Sequence, residues 1–131
     1  MDASTILFHA HSGLRYLVLL AGVLSFGYSL ARMLQGRPWD RTGRILLVSF
    51  VGILDLQVLL GLVLVFVWAF YPALWGHISM MVLAAVVAHV AAALNKRRPA
   101  ERQSHRLAVL GVAGALILVV GGIAAIGRSI V

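Results

Sequence analysis

The chain has 131 residues, 62% of them hydrophobic and only 11% charged, with a mean hydropathy of +1.00, whereas a soluble domain averages ~45–50% apolar and ~25% charged residues. A core built from so short a chain cannot hide that excess, so the composition excludes an ordinary soluble domain and predicts an integral membrane protein. With no cysteine in the chain, disulfides, thiolate nucleophiles, iron–sulfur ligation and c-type haem attachment are excluded too.

The N-terminal Met1-Asp2-Ala3-Ser4-Thr5 carries no positive charge, and the apolar run after it is too long for a signal-peptide core, so the first run is expected to be retained. Asp2, Ser4 or Thr5 is expected to cap its helix. Four apolar segments follow, at residues 6–33, 45–71, 74–95 and 107–126. Each reaches or exceeds the ~20 residues that span hydrocarbon. Long unbroken runs rule out a barrel, so helices satisfy the backbone. The expected fold is all-α: one up-down bundle of four transmembrane helices with short connections.

Orientation follows from the basic residues. Arg32, Arg37, Arg41 and Arg44 surround the first connection, and Lys96, Arg97, Arg98, Arg102 and Arg106 surround the third. Only Arg15 and Arg128 lie toward the other side. Positive-inside logic places loops 34–44 and 96–106 in the cytoplasm, and both termini and Pro72 outside. Trp68, Tyr71 and Trp75, with Trp39 at the other face, suit aromatic belts. The net charge of +7 is accounted for by these loops and points to lipid head groups rather than nucleic acid. In the third segment Met81, Ala84, Ala88 and Ala91 form a stripe with His77, and Gly111, Gly114, Gly121 and Gly122 mark the fourth; small residues let membrane helices approach closely.

Ionisable residues inside a membrane usually mark function. His11 and Arg15, four residues apart, share one face of the first helix. In an up-down bundle the first and third helices are parallel, so His11 and His77 lie at matched depth near the outer surface. Two imidazoles from different helices can serve as axial ligands of a b-type haem, with Gly13 and Gly76 beside them and Arg15 free to meet a haem propionate or a quinone carbonyl. The alternative is that both rings sit at head-group level and bond water. His9, turned ~200° from His11, is the other outer candidate. His89 and His105 form a weaker inner pair; otherwise His89 bonds a neighbouring helix or a lipid head group and His105 is solvated. Met80 and Met81 are better read as packing than as haem ligands.

Asp55, near the middle of the second segment, costs ~2.5–3.5 kcal/mol there unless protonated, paired or hydrated. Arg15 is its expected partner, and a proton-carrying role in quinone chemistry is one use for it. Gln57 then points to the opposite face, toward another helix or subunit. No phosphate loop, zinc signature or nucleophile triad occurs.

His11-Ser12-Gly13-Leu14-Arg15-Tyr16, the run Gln57-Val58-Leu59-Leu60-Gly61-Leu62, Gly76-His77 and Ala88-His89 before a basic loop together resemble small four-helix bacterial membrane proteins described as cytochrome-b-like or uncharacterised. In that pattern a histidine commonly precedes the Gln-Leu-Leu-Gly run, where this chain has Asp55-Leu56. The resemblance implies respiratory or photosynthetic electron transport. The expected function is therefore a small b-type cytochrome-like or quinone-interacting membrane subunit, with haem b or quinone as cofactor. A cofactor-free accessory subunit of a larger membrane complex, or of a homo-oligomer, is the competing expectation.

Overall fold

The computed structural model describes residues 2–67, 72 and 74–127. It holds four long helices, α1 (Ala3–Leu34), α2 (Arg41–Val67), α3 (Leu74–Arg97) and α4 (His105–Ala125), with a single 3-10 turn at Ala100–Arg102. All four are long and apolar enough to cross a membrane, and no strand occurs among the described residues. The all-helical four-span architecture expected from the apolar runs is therefore present. Helix ends differ by a few residues: α2 begins at Arg41 and α4 at His105, before the apolar runs themselves start. Trp68 and Tyr71, expected in an aromatic belt, lie outside the described residues.

Polar residues set the helix ends. Asp2 caps α1, accepting from the Thr5 amide at 2.8 Å and the Ser4 hydroxyl at 2.9 Å; the Thr5 amide, then Thr5 and Ser4 side-chain contacts, hold its carboxyl below the usual value. Gly36, at φ +68°, turns the chain out of α1 in the left-handed conformation that glycine adopts without strain. Asp40 caps α2, its carboxylate accepting from the Gly43 amide at 2.7 Å. Between α3 and α4, Asn95 accepts from the Ser104 amide at 3.0 Å and donates to the Ser104 carbonyl at 3.2 Å. This reciprocal pair closes the turn from inside.

Consecutive helices pack side by side and α4 packs back on α1, so α1 and α3 stand diagonally opposite each other. The core runs through Val18, Phe50, Leu54, Ala84, Ala88, Val112, Ala115 and Val119, all essentially without exposure. Met81, Ala84, Ala88 and Ala91 form the buried stripe of α3, as their spacing predicts. The closest crossing joins α3 to α4, where a Cβ on Gly111 would collide with the Ala91 methyl. On α1, a Cβ on Gly22 would stand 2.5 Å from Leu116 Cδ2 and 3.0 Å from Phe50 Cε1. Close backbone approach maximises dispersion contact, which holds helices together where lipid is as apolar as the core.

At the end carrying the two basic connections, His105 is 2% exposed. Its Nε2 pairs with the Pro38 carbonyl at 3.0 Å and its Nδ1 with Ser29 Oγ at 3.1 Å. Trp39 lies against the ring with centroids 5.0 Å apart. The expectation of a solvated His105 is thus corrected: the Pro38–Asp40 segment folds over the ring and uses both nitrogens. Trp39 serves this packing rather than a lipid belt.

Candidate functional site

The diagonal separation of α1 and α3 leaves room at the opposite end of the bundle. A cavity of about 200 Å³ lies there, with residues of all four helices in its wall. Val18, Val58, Leu62, Met81, Val119 and Ile123 make it mostly apolar, and His11, Ser12, Arg15, Gln57 and His77 supply the polar groups. The two histidines predicted to share a depth meet here. Their ring centroids are 6.3 Å apart and the planes cross at 88°.

Each ring is positioned by another helix. His77 Nδ1 lies 2.8 Å from the Gly122 carbonyl of α4; an N–H there donates to the carbonyl and leaves Nε2 as an acceptor or ligand atom. That arrangement, one imidazole nitrogen on a backbone carbonyl and the other free to coordinate, recurs among metal-binding histidines. His11 stands against α2: a Cβ on Gly61 would come within 3.0 Å of its Cε1. Glycine at 61 therefore admits the imidazole. The main chain of α1 is fixed beside it, because Gln57 Nε2 donates to the His11 carbonyl at 2.7 Å.

Gln57, expected to pack against another helix or subunit, meets α1 of its own chain. It is 4% exposed and lines the cavity, while Asp55, ~200° round the helix, takes the exposed side. Nothing polar surrounds this stretch of α2 to indicate which side turns inward, so the opposition of the two residues was readable but its sense was not. The expected Arg15–Asp55 pair is corrected with it. Asp55 instead binds His89 of α3, its two oxygens 2.8 and 2.7 Å from Nε2. Arg15 donates from Nη2 to the Tyr16 hydroxyl at 2.8 Å, and its guanidinium lies 4.8 Å from that ring's centre.

The remaining sequence candidates separate. His89 does bond a neighbouring helix, but it does not meet His105, which is enclosed between Ser29 and Pro38; no inner histidine pair forms. His9 is exposed and packs on Phe8. Met81 is buried, and Met80 fits beside Gly121, as packing residues do.

The chemistry of the cavity is that of two imidazoles, one guanidinium and one carboxamide in an apolar wall. Two imidazoles from different helices in an apolar wall are the donor set that a b-type haem takes. Arg15 Nε and Gln57 Oε1 are buried with no hydrogen-bond partner among the described residues, which leaves one donor and one acceptor of the cavity-lining residues unused. No protein family, curated protein or solved structure matches this chain.

Proposed function

We propose that this chain is a small b-type cytochrome-like subunit of a respiratory or photosynthetic electron-transport complex, with one haem held by His11 and His77. The proposal places it in a bacterial cytoplasmic membrane, its two basic connections on the cytoplasmic side. The observation that carries it is the pair of imidazoles, 6.3 Å apart, reaching into one cavity from diagonal helices. A haem held there by His11 and His77 would supply one-electron transfer.

The chain's own residues do the rest. The Gly122 carbonyl sets the orientation and tautomer of His77. Gly61 keeps the space that His11 occupies. Arg15 brings a cation for a carboxylate at the cavity edge, where a charge-assisted bond is strongest. Valine, leucine and isoleucine side chains keep water from the centre. The test is haem stoichiometry in the purified protein: the proposal expects one b-type haem per chain, and a cofactor-free accessory subunit would carry none.

A second reading, a quinone head group in the same cavity, rests on the two unpartnered polar atoms. A quinone carbonyl accepts from Arg15, and a quinol hydroxyl donates to Gln57 Oε1. Protection of the protein against thermal unfolding by a short-chain quinone, lost in Arg15→Leu, supports that reading in preparations that lack haem.

A further inference from the structure

Asp55 and His89 form the only carboxylate–histidine contact under 3 Å among the described residues, and they form it on the outside of the bundle. Their side chains are 44% and 56% exposed. Asp55 lies ~21 Å along α2 from its start at Arg41, and His89 lies ~12 Å along α3 from its end at Arg97, so the pair sits well inside a ~30 Å hydrocarbon layer. Ionisable groups at that depth normally face the bundle interior. This pair faces away from it.

Within one chain the pair is half used. Both Asp55 oxygens approach the same nitrogen, Nε2, and no bond within the described residues takes up His89 Nδ1. Gly52, three residues before Asp55, and Ala93, four after His89, are exposed on the same face. Both are displaced toward the basic end, by ~4.5 and ~6 Å along their helices. A Cβ on Gly52 would meet nothing within 4 Å. The polar pair thus stands beside two small, exposed residues. Small residues beside a hydrogen-bonding side chain are what association between membrane helices requires.

We propose that this face of α2 and α3 is the interface of a homodimer, two copies meeting about a two-fold axis along the membrane normal. Charge complementarity selects a second copy as the occupant. The patch presents one acceptor and one donor side by side, so an isologous contact lets Asp55 of each copy accept from His89 Nδ1 of the other. A lipid tail offers neither group, and an unrelated helix would have to bring a matching pair of its own. The inference is independent of what fills the histidine cavity.

The chain has no cysteine, so single thiols report on it cleanly in native membranes. Gly52→Cys and Ala93→Cys are placed on the proposed interface, and Ile117→Cys, at a 72% exposed position of α4, is the control. Treatment with a bifunctional maleimide is expected to give a product of twice the 14.1 kDa chain mass from the first two and not from the third. Adding Asp55→Leu is expected to lower that yield roughly tenfold, the loss of about two membrane hydrogen bonds. Exchanging the pair, Asp55→His with His89→Asp, is expected to restore it. Failure of both interface thiols to cross-link overturns the proposal, as does equal cross-linking at Ile117→Cys, a product of another mass, or an unchanged yield with Asp55→Leu. Where Asp55→Leu does not accumulate, the three cysteine positions in the otherwise unaltered chain decide the question alone.

Discussion

His11 and His77 meet edge to face across the bundle, 6.3 Å between ring centres, although the helices that carry them are diagonal neighbours whose backbones make no close approach. Two side chains therefore bridge a gap that the backbones leave open, and the gap is the cavity. The depth match comes from parallel helices; the convergence comes from Gly61 on one side and the Gly122 carbonyl on the other.

Filling the space beside His11 tests that convergence. Gly61→Leu drives a side chain into the ring, whose Cε1 would already stand 3.0 Å from a bare Cβ. Helix content measured by circular dichroism should be unchanged, while retention of haem falls by roughly 10–100-fold, the usual cost of disturbing a ligand's support. Gly52→Leu on the outer face of the same helix should leave haem retention unaltered.

Gln57 ties α2 to the main chain of α1 through its bond to the His11 carbonyl. Gln57→Leu keeps the volume and removes the bond. Measured membrane hydrogen bonds average about 0.6 kcal/mol and reach about 1.7, so unfolding in mixed micelles should show a loss in that range. A larger share is expected here because the residue is almost fully buried.

The basic end should carry an acid-side stability slope. Burial raises the Asp40 carboxyl, but the Tyr28 hydroxyl, the Gly43 amide and the neighbouring charges of His105 and Arg32 outweigh it and hold the group below its ordinary value of 3.8. A depressed folded-state value stabilises fully above the unfolded one and loses that contribution as pH falls below it. Thermal stability of the wild type should therefore decline below about pH 4 more steeply than that of Asp40→Ala, which also loses the α2 cap, worth ~0.5–2 kcal/mol at all pH values above that window.

Close packing of α3 on α4 depends on Gly111, whose added Cβ would overlap the Ala91 methyl. Gly111→Val should lower stability by about 1–3 kcal/mol, the cost of overpacking, and the double change with Ala91→Gly should recover part of it. Gly27→Val, where an added Cβ meets nothing within 4 Å, is the neutral comparison.

The architecture was legible because length decides it: apolar runs of this size have one backbone solution in lipid. The buried stripe of α3 was legible from its small residues, and the meeting of His11 with His77 from topology alone. What sequence could not orient was α2. An amphipathic helix declares its inner face, but this one is apolar nearly all round, so Asp55 and Gln57 were placed on opposite faces with the sense inverted. The same ambiguity extends to Arg15, which has Tyr16 and not Asp55 as its contact, and to the Asp55–His89 pair. His105 was obscured differently. Its basic neighbours suggest solvent, and only the fold of Pro38–Asp40 over the ring shows it buried.

Haem ligation is read from the reduced-minus-oxidised absorption spectrum of the purified protein, taken beside those of His11→Ala and His77→Ala. The α-band of a b-type haem is expected in the wild type and is expected to be lost in each variant with the helical content preserved. A wild type without that band, or a band that survives removal of both histidines, would contradict it.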